Sequence, residues 1–138
     1  MEYRSRSLED TKQLAQAMAK KRPPIILLEG DLGAGKTTFT RFFAESLGIT
    51  EPVTSPTFSI VKHYPEPVSF VHMDLYRIED EEELYHIGFD DYLDADHVLI
   101  EWPEVAGDLL PENALRLSIR FDGDERVFEW EEADDPGL

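Results

Sequence analysis

The chain has no cysteine, which excludes disulfides and thiolate metal sites and is compatible with any compartment. It has no apolar run near the length of a membrane span. Its first residues carry Arg4 and Arg6 but no apolar segment behind them, so they do not read as a secretory signal, and a cytoplasmic protein is expected. Positive charge is also scarce. Thirteen Lys and Arg stand against thirty Asp and Glu, a formal net charge of −17. Residues 1–22 hold six basic and three acidic side chains, leaving seven basic against twenty-seven acidic in the remainder. Such a body repels phosphate backbones, because affinity for nucleic acid rests largely on Lys and Arg displacing counterions. Direct, tight binding of RNA or DNA by this chain alone is therefore not expected. Plain solubility and a basic protein partner both remain open as reasons for the acid excess.

The 138 residues, 41% of them hydrophobic, suffice for one compact domain with a real core and are too few for two ordinary ones. One α/β domain spanning residues 1–138 is expected, with an acidic, frayed tail at 131–138.

Within it, residues 30–38 read Gly-Asp-Leu-Gly-Ala-Gly-Lys-Thr-Thr. Glycines at this density let successive N–H groups curl inward as an anion-binding nest, and Lys36 adds a mobile positive charge. Upstream, Ile25-Ile26-Leu27-Leu28 suits a buried strand, and downstream Phe39, Phe42, Phe43 and Leu47 fall at helical spacing. A strand, a loop of the form G-x-x-x-x-G-K-[ST] and a helix together predict a phosphate-binding loop. In it Lys36 reaches the β and γ phosphates and the Thr37 hydroxyl ligates magnesium.

Elsewhere, Ser7 is placed to cap a helix whose buried face carries Leu8, Thr11, Leu14, Ala15 and Met18, stopped by Pro23-Pro24. Gly48 suits a left-handed cap after the phosphate-loop helix. Strands are predicted from about Phe58 to Tyr64, at Val68 to Met73 and from His97 toward Pro103, with a short helix ending at Ile87 before Gly88. Leu115, Leu117, Ile119 and Phe121 alternate with polar residues up to Asp122-Gly123, the pattern of a C-terminal β-hairpin. No internal repeat is present.

A phosphate loop needs an acidic partner for magnesium at the C-terminal end of an aliphatic strand. Asp74 and Glu101 both qualify, one as ligand, directly or through water, and the other to position the attacking water. For either acid alone a solvated strand end is the alternative. Thr54, Ser55 and Thr57 lie on a proline-held loop where nucleotide switches place a hydroxyl that senses the γ-phosphate; a simple polar loop would look the same. Trp102 fits either the core or a lid on the nucleotide. His72 reads more naturally as a packed strand histidine than as a base. The absence of Asn-Lys-x-Asp, by which many GTPases read guanine, leans toward adenine.

The segments GDLGAGKTTFTR, VTSPTFSIV, HMDLYRI, GFDDYL and LIEWPE, in this order and at these intervals, closely resemble the TsaE (YjeE) family of small ATPases required for threonylcarbamoyladenosine synthesis in bacterial tRNA. The likeness runs over roughly residues 7–104. It implies a P-loop NTPase-like three-layer α/β fold with a central, mainly parallel but mixed sheet, and a cytoplasmic, magnesium-dependent ATPase. The partner proteins TsaB and TsaD would carry out the transfer onto the tRNA adenosine next to the anticodon, with tRNA reached only through that complex and with no membrane or DNA involved. By motif, Gly33, Ala34, Gly35, Lys36, Thr37 and Thr38 would hold the phosphates. Thr37 and Glu101 would ligate magnesium, and Asp74 would position or activate water. Thr57 would belong to a switch-like loop, Trp102 would lie at the nucleotide, and Thr11 would approach its adenine side. Met73 stands where the family more commonly has Phe, a change that leaves the chemistry untouched.

Two rival activities differ in what they require. A small-molecule kinase needs an acceptor pocket and a lid bearing arginines, yet after Lys36 only Arg41, Arg77, Arg116, Arg120 and Arg126 remain and no lid-sized insertion is visible. A binding switch with incidental hydrolysis would lose no function on neutralising Asp74. No arginine falls at a catalytic position within the motifs, which predicts slow intrinsic hydrolysis and stimulation by partners. The acidic run Glu79 to Glu83, or the GFDDYL segment, is a candidate contact for a basic partner face; an ordinary solvated helix start is the alternative.

Overall fold

A computed structural model describes residues 1–30, 35–53 and 60–131. In chain order the elements are β1 (Glu2–Ser5), α1 (Leu8–Lys20), β2 (Ile25–Gly30), α2 (Lys36–Ser46), β3 (Val61–Tyr64), β4 (Phe70–Asp74), α3 (Glu81–His86), α4 (Phe89–Tyr92) and β5 (His97–Glu101). A 3₁₀ segment, Pro103–Leu109, follows, then β6 (Leu115–Asp122) and β7 (Glu125–Glu129). The strands form one sheet in the order β1-β7-β6-β2-β5-β4-β3. The four inner strands β6, β2, β5 and β4 run parallel. β1, β7 and β3 join antiparallel at the flanks. The sheet is therefore mixed, with a parallel centre.

The aliphatic run of β2 is buried on both faces, as a central parallel strand requires. Ile26 and Leu28 point into a cluster with Leu14, Ala15 and Met18 of α1 and Phe39 and Phe43 of α2. Ile25 and Leu27 point the other way, toward Leu84 of α3, Phe89 of α4 and Ala106. Helices thus cover both faces, giving the three layers expected. α1 begins as its residues demand: the Ser7 hydroxyl accepts from the Asp10 N–H at 3.1 Å, and Thr11, Leu14, Ala15 and Met18 are buried. Leu8 is the exception on that face, 66% exposed beside the cap. α2 closes through Gly48 at φ 92°, a left-handed position that favours glycine.

The strands at 61–64 and 70–74 are shorter or shifted by a residue or two from their expected limits. Phe58 and Ser59, the tail beyond Glu131, and residues 54–57 of the switch-like loop lie outside the described residues. β1, α4 and the 3₁₀ segment were not anticipated. Among the described residues no helix is long and apolar enough to cross a membrane.

Candidate functional site

The register of the parallel strands brings the candidate residues to one end of the sheet. Leu28 of β2 pairs with Glu101 of β5, and Glu101 in turn with Asp74 of β4, so the three strands finish level with one another. β2 leads into the loop before α2, of which residues 31–34, including Gly33 and Ala34, lie outside the described set. Gly35 caps α2 at φ 105°, ψ 16°, a backbone that side chains on Cβ rarely tolerate. α2 thus begins directly at the phosphate loop, whose lysine and threonine open its first turn.

Lys36 opens α2 with its side chain buried. Its ammonium donates to the Gly30 carbonyl at 2.6 Å and sits 3.8 Å from the centre of the Trp102 ring. Both contacts stabilise a desolvated cation. Trp102 reaches Lys36 because its backbone is left-handed (φ 55°, ψ 51°), a conformation costing about 1–3 kcal/mol in a non-glycine residue. Its ring also meets Tyr76, centroids 5.0 Å apart. Trp102, open from sequence to two readings, is half-buried, packs against the cluster around Leu27 and Phe89 and also sits beside the phosphate-loop lysine.

Two carboxylates complete this end. Glu101 is 3% exposed and its Oε2 lies 2.5 Å from His72 Nε2. Asp74 is partly buried and its Oδ1 accepts from the Tyr76 N–H at 3.0 Å. Burial pushes the Asp74 carboxyl above its ordinary range, and the charge of Glu101 adds to that; the Tyr76 N–H, His72 and Lys36 work against it. Glu104 is likewise raised, first by burial and then by Glu29.

The donor set suits magnesium. A hydroxyl at Thr37 and carboxylates at Glu101 and Asp74 are hard oxygen donors, and the raised Asp74, held up chiefly by burial and further by Glu101, is a carboxyl whose ionised form a divalent cation would favour. Among the described residues no three His, Asp or Glu side chains form a metal cage. Magnesium needs none, since it keeps waters and phosphate oxygens in most of its positions.

A cavity of about 200 Å³ opens on the other side of the α2 N-terminus, lined by Thr11, Gly35, Thr38, Asp124, Arg126 and Phe128. Thr11, Gly35 and Thr38, distant in sequence, thus meet in one place. The Thr11 hydroxyl is 2.6 Å from that of Ser5 and 6% of the residue is exposed. Arg126 was not singled out from sequence. Its guanidinium stacks 4.0 Å over Phe121, and its Nε would lie 3.8 Å from a Cβ placed on Gly35. Nothing local marks it, because its position depends on β7 reaching β1 and α1. Thr57 lies outside the described residues.

Compared with known families, residues 5–128 match the model described as threonylcarbamoyl adenosine biosynthesis protein TsaE. The chain is 45% identical over 129 residues to the tRNA threonylcarbamoyladenosine biosynthesis protein TsaE of Bacillus subtilis (strain 168), covering 91% of this chain and 80% of that one. It is 38% identical over 126 residues to the protein of the same name from Rickettsia bellii, covering 88% of each. Among solved structures it resembles Bacillus subtilis YdiB with a TM-score of 0.79 and 37% identity, over 94% of this chain and 83% of that one.

Proposed function

For a chain that belongs to the TsaE family, with a role in tRNA threonylcarbamoyladenosine biosynthesis, we propose the part of the magnesium-dependent, ATP-binding and ATP-hydrolysing component. It acts through TsaB and TsaD and does not itself perform the transfer. The observation that carries this reading is the convergence of Lys36, Asp74 and Glu101 at one end of the parallel strands, beside the N-terminus of α2.

From that arrangement the residues divide the work. N–H groups of the first turn of α2 take the phosphate oxygens, and Lys36 exchanges the Gly30 carbonyl for the β and γ phosphates. Thr37 and Glu101 would hold magnesium, which supplies charge neutralisation across the phosphates. Asp74 orients the attacking water and, because its carboxyl is raised, accepts a proton more readily than a surface aspartate. The cavity bearing Thr11, Thr38 and Arg126 takes the adenine side of the nucleotide. With no catalytic arginine evident within the motifs, the chain alone turns over slowly and its partners supply what is missing.

The test is ATP hydrolysis by the purified chain with magnesium, alone and with the TsaB–TsaD pair, alongside Lys36→Ala and Glu101→Ala. Weak basal turnover that rises with the pair and falls by about 100-fold or more in both variants is expected. No stimulation by the pair, with turnover rising instead when a metabolite is added, would replace this reading with a kinase.

A further inference from the structure

β4 places His72 two residue pairs behind the carboxylates, on the same face of the strand: His72 stands opposite Leu99 where Asp74 stands opposite Glu101. Its side chain has no exposed surface. Its Nε2 meets Glu101 Oε2 at 2.5 Å, while Nδ1 is buried and makes no hydrogen bond among the described residues. With Glu101 as a metal-binding carboxylate, which accepts and does not donate, Nε2 is the donor of this contact. Hydrogen on Nε2 satisfies the Glu101 end of this contact. Glu101 Oε1 has no such partner among the described residues.

We infer that His72 is a positioning residue for Glu101: its Nε2–H holds Oε2 and fixes the carboxylate so that Oε1 is the oxygen turned toward magnesium. This rests on the reading of Glu101 as a magnesium ligand. Groups that orient a metal ligand in this way are worth roughly 10–100-fold in metal affinity. Its one hydrogen bond among the described residues is to Glu101, so its positioning effect is read through that carboxylate.

The test compares wild type, His72→Leu, which keeps bulk and loses the donor, and His72→Gln, whose amide nitrogen reaches about as far as Nε2. Affinity for a non-hydrolysable ATP analogue is measured by calorimetry with magnesium and again with EDTA, with Glu101→Ala as reference. In His72→Leu the gain in affinity from magnesium is expected to shrink by roughly 10–100-fold while binding in EDTA stays near wild type, and His72→Gln is expected to recover most of the gain. Separately, ¹⁵N NMR of the nucleotide-free wild type is expected to show His72 protonated at Nε2, a readout that needs no variant to fold and no metal. If Glu101→Ala loses the magnesium gain and His72→Leu keeps it, or if the proton resides on Nδ1, the inference is wrong and the reading of Glu101 stands. If the wild type gains nothing from magnesium, the reading of Glu101 falls and the inference with it.

Discussion

Asp74 carries two demands that oppose each other, and the conflict is measurable. Its carboxyl is held above the ordinary range, chiefly by burial, so folding favours the neutral form. A group raised in this way contributes its stability below the unfolded value, about 3.9 for Asp, and loses it as pH rises through the folded value. At neutral pH the ionised Asp74 therefore costs stability. Asp74→Asn is expected to melt higher than wild type at pH 7, by under about 1 kcal/mol because the group is only half-buried and screened. The advantage should fade as pH falls toward 4, which calorimetry across pH 3.5–8 reads directly. The same variant should bind ATP yet hydrolyse it about 100-fold more slowly. Unchanged hydrolysis would leave the nucleotide-switch reading in place. Lys36, Asp74 and Glu101 were legible in the sequence because a motif and two strand ends announce them. His72 and Arg126 were not, because what each touches is decided by strand register and by a pairing across most of the chain.

The element that sets the site is α2, and its aim depends on its far side. Phe39 and Phe43 stack on each other at 6.1 Å. Phe39 meets Phe128 of β7, and Phe43 meets Phe70 of β4 and the His97 ring of β5. These contacts fix the helix against strands from both halves of the sheet and with it the place of Lys36 at its start. Phe43→Ala is expected to cost about 3–5 kcal/mol, read by urea denaturation, with nucleotide affinity close to wild type in the fraction that remains folded. The helices and central strands were legible from periodicity because each buries a long apolar pattern. β1 escaped for the opposite reason. Glu-Tyr-Arg-Ser has little apolar content, and it becomes a strand by pairing with β7, held by Arg4 on Asp122 and Glu125 and by Arg6 on Glu125. The 3₁₀ segment escaped because it starts from the left-handed Trp102 and bends again at Gly107, neither of which periodicity reports.

For the molecule as a whole, charge decides how it can meet a tRNA pathway. Even the basic N-terminal stretch is partly neutralised, since Arg4 and Arg6 are committed to Asp122 and Glu125. Lys20 and Arg22 line a cavity of about 660 Å³ with His97, at the start of β5, which is the end of the sheet away from Glu101. Arg126 lies near Gly35 of the phosphate loop, but the body of the chain is acidic overall, so RNA has little to hold. On the proposed function contact would run through proteins, and the acidic start of α3 is suited to it. Asp80 is committed to capping that helix by accepting from the Glu83 N–H, whereas Glu79 and Glu82 are exposed. Reversing those two to lysine while sparing Asp80 should leave the fold intact and weaken assembly with the TsaB–TsaD pair. Wild-type assembly should in turn weaken as salt rises from about 0.05 to 0.5 M, and the doubly reversed chain should respond less. In a mobility-shift assay the chain alone should leave tRNA unshifted at about 0.15 M salt. An assembly indifferent to both reversals and salt would move the contact to another face, and a shift by the chain alone would overturn the argument from charge.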